Sequence, residues 1–384
     1  MIDLLLAHGM DEGLDEDFES GFAAYEVSIL TSAGGGDAAA VGKCEAAVRD
    51  DPAATFALDG AGAATLTAGG RSWRAGRFAP LSIGELRKRA VDGAKDGNAH
   101  LRLWVLDGAS PATDIGALQG RAGPGTLFQV ASQFNCLESP GPRIVPVERY
   151  FHDPTQGPRA SISAFPGTLL RHYAAPGARG ERFTQTNDGP QIELLRDVCR
   201  PGVATVRNGY LLARNIADPA AFSARLEARF DAIRVGVHDG VEAVLGYDWD
   251  GAVDDPPRIA QVFTSTVAGG GYGDTSGHIG GVCRQLLRAA YLGTLLAAVS
   301  LGCTRVVLTL IGGGAFGNSP RLIWEAILWA LAETESVVSR DLDVIVNGRN
   351  IAEQIDRQTI VAAVRGRGGE LLSCPRGGPA SIHR

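Results

Sequence analysis

The chain has 384 residues, 45% of them apolar, which is enough to bury a large core and long for one domain. Its 36 basic and 43 acidic residues leave a net charge of −7, so no global field favours nucleic acid or an anionic membrane. Six widely spaced cysteines without a C-x-x-C pair read as free thiols of a reducing, cytoplasmic compartment.

From the N-terminus, Met1-Ile2-Asp3 before Leu4-Leu5-Leu6 is acidic where a secretory leader is basic, and no apolar run reaches the roughly 18 residues that span a bilayer. The acidic run Asp11 to Asp17 reads as a solvated loop or helix start. Thr55–Leu58, Ala64–Ala68 and Ser72–Arg74 read as short antiparallel strands separated by glycines. A helix is expected from Ser82, because Ser82 and Glu85 have the spacing of a capping box. Arg102–Leu106 is another strand. Residues 1–120 are therefore expected to form an accessory α+β region, and 121–384 the main domain.

Beyond residue 125, strands and helices alternate. Thr126–Ser132 is a strand ending at Gln133-Phe134-Asn135, and Asp153 to Pro158 is a tight loop rich in Pro and Gly. Pro219–Ile233 reads as a helix. Arg234–His238 is a strand reaching Asp239, where Gly240 suits a hairpin turn. Arg258–Thr266 is a strand that ends in the glycine-rich run Gly269 to Gly273, followed by Asp274. Val282–Leu301 is apolar on most faces and reads as a buried helix. It is followed by a strand (Arg305–Ile311), a helix (Pro320–Thr334), a strand (Leu342–Val346), a helix (Ile351–Val364) and a last strand near Leu371. The alternation predicts a three-layer α/β/α sandwich on a mixed, largely parallel sheet, with ligands at the carboxyl ends of its strands.

The stretch from Arg305 to Pro320 names a ligand class. A β-branched run ends in Gly312-Gly313-Gly314-Ala315-Phe316-Gly317, after which Ser319 and Pro320 suit a helix start. A strand that feeds a helix through such a turn presents backbone N–H groups and a positive helix end to one point, which suits a diphosphate. Gly312-x-Gly314-x-x-Gly317 also matches the dinucleotide fingerprint. That fingerprint belongs to a first strand, and too little chain follows Gly317 for the further βαβ units it needs. No Lys-Ser/Thr follows the glycines, so a Walker loop fails as well. A tight turn used only for packing stays open.

Strand, Gly-Gly-Gly-Ala-Phe-Gly-Asn and helix, close to the C-terminus, resemble the diphosphate loop of macrodomains, which bind ADP-ribose. Ala131 to Glu138, Asp153 to Pro158, Leu169 to Tyr173, Gln261 to Ser265 and Leu287 to Tyr291 are similar to a divergent macrodomain branch. That branch includes a bacterial effector that removes ADP-ribose from arginine of ubiquitin. The chain departs from the polymer-cleaving pattern, in which Gln-Glu-Glu follows a triple glycine, so the resemblance does not carry that dyad. It implies an ADP-ribosyl hydrolase acting on a modified protein, arginine-linked, with ADP-ribose or the ADP-ribosylated protein as partner and with no nucleic acid or membrane. A non-catalytic ADP-ribose reader and a hydrolase of a small nucleotide-sugar metabolite stay open.

Ligand contacts are expected from Gln133, Asn135, Gln156, Ser265, Gly312, Gly313, Gly314, Ala315, Phe316, Gly317 and Asn318. Phe316 can pack on the distal ribose or plug the core. Asn135 can orient a ribose hydroxyl or a water, or close a local Asx turn. Cleavage at the anomeric carbon passes through an oxocarbenium-like state and needs a carboxylate. Asp274, Asp153 and Asp239 lie beside motif loops and are the candidates. The seven histidines show no ligand spacing, so neither metal nor cofactor is expected, and His172 is expected to pack locally beside Tyr173.

Overall fold

The computed structural model describes residues 38–92, 99–108, 112–153, 155–177, 179–246, 252–273, 277–375 and 380–383. The acidic run near residue 11 lies outside them. In chain order the elements are α1 (Ala38–Asp50), α2 (Pro52–Thr55), β1 (Phe56–Leu58), β2 (Ala64–Ala68), β3 (Arg71–Ser82), α3 (Ile83–Asp92), β4 (Leu101–Gly108), α4 (Ile115–Gly120) and β5 (Thr126–Ala131). A 3-10 turn (Val147–His152) follows, then α5 (Gln156–Ser163), α6 (Phe165–Tyr173), β6 (Ala175–Pro176), β7 (Arg182–Phe183), α7 (Pro219–Ala228), β8 (Arg234–Glu242) and β9 (Arg258–Thr264). The rest is α8 (Gly280–Leu301), β10 (Arg305–Thr309), α9 (Pro320–Thr334), β11 (Leu342–Asn347), α10 (Ile351–Gln354), α11 (Arg357–Arg365), β12 (Leu371–Cys374) and β13 (Ser381–His383).

Eleven strands make one mixed sheet in the order β1-β2-β3-β8-β9-β5-β10-β11-β4-β12-β13. Its centre, from β9 to β12, is parallel, and both flanks are antiparallel. Alternation of side chains along the strands shows that both faces are covered. Gln129 on β5 donates to Thr294 and Ala290 of α8, whereas Gln261 on the neighbouring β9 donates to Ala160 of α5 from the opposite face. On one face α8 packs with α3, α7 and α9; α1, α5 and α6 pack together on the other. This is the expected three-layer α/β sandwich. α8 is long and apolar enough to cross a membrane by length and composition, but most of it is buried in the core. Its apolar average over a whole helix is a signal that a count of consecutive apolar residues misses.

Strands from either side of residue 120 share this sheet. β3 pairs with β8, and β4 lies between β11 and β12. Among the described residues, strands from both sides of the expected boundary are thus hydrogen-bonded into one sheet. The capping box forms as expected: Ser82 N–H donates to Glu85 Oε2 (2.7 Å) and Glu85 N–H to Ser82 Oγ (3.1 Å). Asp239-Gly240 is not a hairpin turn. β8 runs on to Glu242 through a bulge after His238, with Gly240 at φ +71°. The helix expected over Ile351–Val364 breaks at Ile355, because Asp356 caps a new helix by accepting from Thr359 N–H (2.8 Å). No disulfide joins the six cysteines, and five of them are buried.

Candidate functional site

A cavity of about 450 Å³ opens at the carboxyl ends of β4, β5, β10 and β11, where Gly108, Ala131, Thr309 and Asn347 form part of its lining. Parallel strands expose their final C=O groups and the following loops at this edge, so side chains from segments distant in sequence converge there.

The glycine run after β10 makes one wall, with Gly312, Gly313, Gly314, Ala315 and Phe316 all lining the cavity. Internal bonds close the turn: Gly313 N–H to Leu310 O (3.0 Å), Gly317 N–H to Gly314 O (3.0 Å) and Asn318 N–H to Gly312 O (2.9 Å). Among the described residues, the N–H groups of Gly312, Gly314, Ala315 and Phe316 have no hydrogen-bond partner. A Cβ built on Gly314 would meet nothing within 4 Å. Four such donors on residues that line an open cavity suit an anion. Gly317 and Asn318 do not line it and brace the turn from behind. Gly317 packs on Gly270, Phe316 O accepts from Gly269 N–H (3.0 Å), and the Asn318 amide donates to Val267 O (3.0 Å). Ser319 makes no side-chain cap at the start of α9.

The loop after β5 and the start of α5 form the opposite wall. Gln133 lines the cavity with its amide committed to Ser139, accepting from its N–H (3.0 Å) and donating to its C=O (3.2 Å). Asn135 does not reach the cavity. Its Oδ1 accepts from Leu137 N–H (3.2 Å), which is the local Asx turn. Ser265 is also buried away from the lining. Gln156 does line it, and its Oε1 accepts from Ile115 N–H (3.0 Å). The segment around Gln156 is the first turn of α5 and not a free loop. Gly157 lets that turn press on Ala131 O, and a Cβ there would lie 2.6 Å from Glu138 Oε2.

Glu138 is a buried carboxyl in the cavity lining that sequence reasoning did not single out. It lines the cavity at 2% exposure, with Ser161 Oγ 3.4 Å from its Oε1. Burial pushes its carboxyl well above the ordinary range; Arg171 opposes the shift, and the nearby Asp153 charge adds to it. Arg171 is itself fully buried. It donates to Cys136 O (3.2 Å), Thr168 Oγ1 (3.0 Å) and His238 Nδ1 (2.9 Å), and its guanidinium sits 3.6 Å from the Phe263 ring centre. It thereby holds a loop in which Cys136, at φ +60°, is left-handed.

The three aspartates separate. Asp153 lines the cavity and accepts from Thr155 N–H (2.9 Å) through Oδ1. Asp239 does not line the cavity: β8 runs antiparallel to β9, so its end lies at the amino edge of the parallel strands, where Asp239 pairs with Arg77 (3.6 Å). Asp274 lies outside the described residues. His172, as expected, stacks on Tyr173 with ring centres 4.2 Å apart.

Two further groups complete the lining. Tyr210, Tyr272 and Phe316 form an aromatic cluster with centres 5.4 to 5.8 Å apart, so Phe316 both packs with its neighbours and faces the cavity. Asn347 ends β11, and Arg349 and Asn350 follow it. Asn347 donates to Thr113 O (2.9 Å), while its buried Oδ1 has no partner among the described residues. Arg349 and Asn350 are both left-handed, at φ +42° and +67°, and Arg349 makes no ion pair among the described residues. The strand-end rule would have flagged Asn347. Tyr210 gave no signal, because it sits in an irregular segment.

No protein-family model and no curated protein matches the chain. Among solved structures it is similar to the poly(ADP-ribose) glycohydrolase of Thermomonospora curvata, at 16% identity and a TM-score of 0.42, over 86% of this chain and 99% of that one. It is also similar to the poly(ADP-ribose) glycohydrolase of Deinococcus radiodurans in complex with ADP-ribose, at 14% identity and a TM-score of 0.40, over 76% and 93%. Likeness at this level assigns no residue and no activity.

Proposed function

We propose that the cavity binds ADP-ribose and that the chain is an ADP-ribosyl hydrolase. The observation that carries this reading is one cavity lined both by the unpartnered N–H groups of Gly312, Gly314, Ala315 and Phe316 and by the carboxyls of Glu138 and Asp153. The diphosphate sits on the glycine loop, where Gly313 and Gly314 allow its close approach. The distal ribose lies by Phe316 and Tyr210, and the adenosine end extends towards Asn347 and Arg349. Gln156 contributes lining on the carboxylate side.

Two carboxyls in unlike environments suit glycosidic cleavage. Glu138, whose neutral form burial favours, gives its proton to the leaving nitrogen or oxygen as the bond to the anomeric carbon breaks. Asp153, at the more open edge, stabilises the oxocarbenium-like centre and takes a proton from the attacking water. The products are free ADP-ribose and the unmodified side chain, and no step needs a redox partner. An arginine linkage in a modified protein is the finer part of the proposal and rests on the motif resemblance.

Titrating ADP-ribose into the protein tests the ligand assignment. Binding should raise the melting temperature, with about 2.7 kcal/mol of stabilisation at a hundred-fold excess over Kd. Gly314→Val fills only open space in the free protein, so it should keep its own melting temperature and lose the ligand-induced shift. A Gly314→Val protein that binds as well as the wild type contradicts the reading.

A further inference from the structure

Helix α1 sends one acidic side chain into the interior. Glu45, 2% exposed, accepts from the N–H groups of Val147 (2.6 Å) and Glu148 (2.7 Å) and from the Tyr173 hydroxyl (2.6 Å). Val147 and Glu148 open the 3-10 turn, whose first N–H groups have no partner within the turn. Pro146, at the capping position, has no side-chain acceptor to offer. Glu45 supplies the cap from a separate helix, through charge-assisted bonds. One turn earlier, a Cβ on Gly42 would lie 3.0 Å from Glu148 Oε2, so α1 presses closely on this segment.

The other end of the turn enters the cavity. Asp153 is its C-cap, donating its N–H to Tyr150 O (3.0 Å). Tyr150 is fully buried, and the Glu138 charge acts on its hydroxyl. One short element therefore ends at Asp153 in the cavity lining and carries Tyr150, and its first residues are tied to α1.

We propose that Glu45 is a positioning residue for the hydrolytic site: by capping the turn at Val147 and Glu148 it fixes Asp153 and Tyr150 relative to Glu138. This rests on the reading of Asp153 and Glu138 as the reacting carboxyls. The N-terminal region then acts on turnover without touching the ligand.

Two variants separate positioning from mere anchoring. Glu45→Gln keeps the shape but presents one acceptor and one donor to three donors, so it loosens the turn. Tyr173→Phe removes a bond to the same carboxylate and leaves both turn bonds intact. Each is assayed for ADP-ribose release, for ADP-ribose affinity and for amide hydrogen exchange over residues 147–153. Glu45→Gln should lower kcat about ten-fold or more, the scale of a small misplacement of a reacting group, with affinity nearly unchanged and faster exchange at Val147 and Glu148. Tyr173→Phe should keep kcat near the wild type although both variants melt earlier. Equal loss of turnover in the two variants, or full turnover in Glu45→Gln, overturns the proposal. If the wild type cleaves no linkage offered, the hydrolase reading has failed, and exchange alone decides: Glu45→Gln exchanging no faster over 147–153 than Tyr173→Phe overturns the cap.

Discussion

Burial of the Glu138 carboxyl favours its neutral form, and two pH dependences follow. As the proton donor, Glu138 must be protonated, so turnover should fall as pH rises through its raised pKa. That basic limb should vanish from the residual activity of Glu138→Gln. Stability shows the same group with the opposite partners. His238 and His172 are pushed down by burial to about 3 and about 4, so both stay neutral in the fold while the unfolded chain protonates them near 6.5. Their contribution is present above pH 6.5 and is lost as pH falls towards 4, at about 1.4 kcal/mol per pH unit for each proton taken up. Glu138 works against this loss. Between its unfolded value near 4.5 and its raised folded value, the native state holds the extra proton, which favours folding as pH falls. Urea unfolding at pH 7 and pH 5 should therefore show a steeper loss for Glu138→Gln than for the wild type; equal slopes would mean that Glu138 is already ionised in the fold. The residues behind this argument were hard to read in sequence. Glu138 ends the run Ala131 to Glu138, yet nothing local says that its carboxyl is buried; Arg171 and Ser161, which act on it, come from other elements.

Elements were legible where one local interaction decides them. Ser82 and Glu85 carry their own capping box, and Pro320–Thr334 has the expected bounds. They were misread where two local rules compete. Ile351–Val364 keeps its apolar spacing, but Asp356 bonds Thr359 N–H and Oγ1 and starts a second helix. At Asp153 to Pro158, Pro and Gly suggested a loop, whereas the Gly serves close packing of α5 on β5. Gly157→Ala tests this at the element scale. Its Cβ would press on Ala131 O and Glu138 Oε2, and overpacking of this kind typically costs about 1–3 kcal/mol. Chemical denaturation should show that loss, accompanied by slower turnover, because the displaced groups line the site. An unchanged midpoint would mean that the helix start has room the structure does not show.

At the scale of the molecule, the sequence pattern foretold layers and the edge at which the site sits, but not which strands pair. β4 reads like any short strand, and its place between β11 and β12 depends on contacts with residues more than two hundred positions away. The same ignorance of pairing kept Asp239 among the candidates, behind Asp274 and Asp153. Once β8 runs antiparallel, the two lie at opposite edges of the sheet. Among the described residues, the cavity is lined by Asp153 and by Glu138 from the loop after β5, and not by Asp239.

Release of ADP-ribose from an arginine-modified protein, measured beside ADP-ribose affinity, tests the central claim most directly. The wild type should release it. Asp153→Asn and Glu138→Gln should each lose roughly 10²-fold or more in turnover, the scale of a positioned acid–base group, while binding ADP-ribose nearly as before. Wild-type protein that binds ADP-ribose but frees none from arginine-, glutamate- or serine-linked substrates, or variants that keep full turnover, would contradict the account.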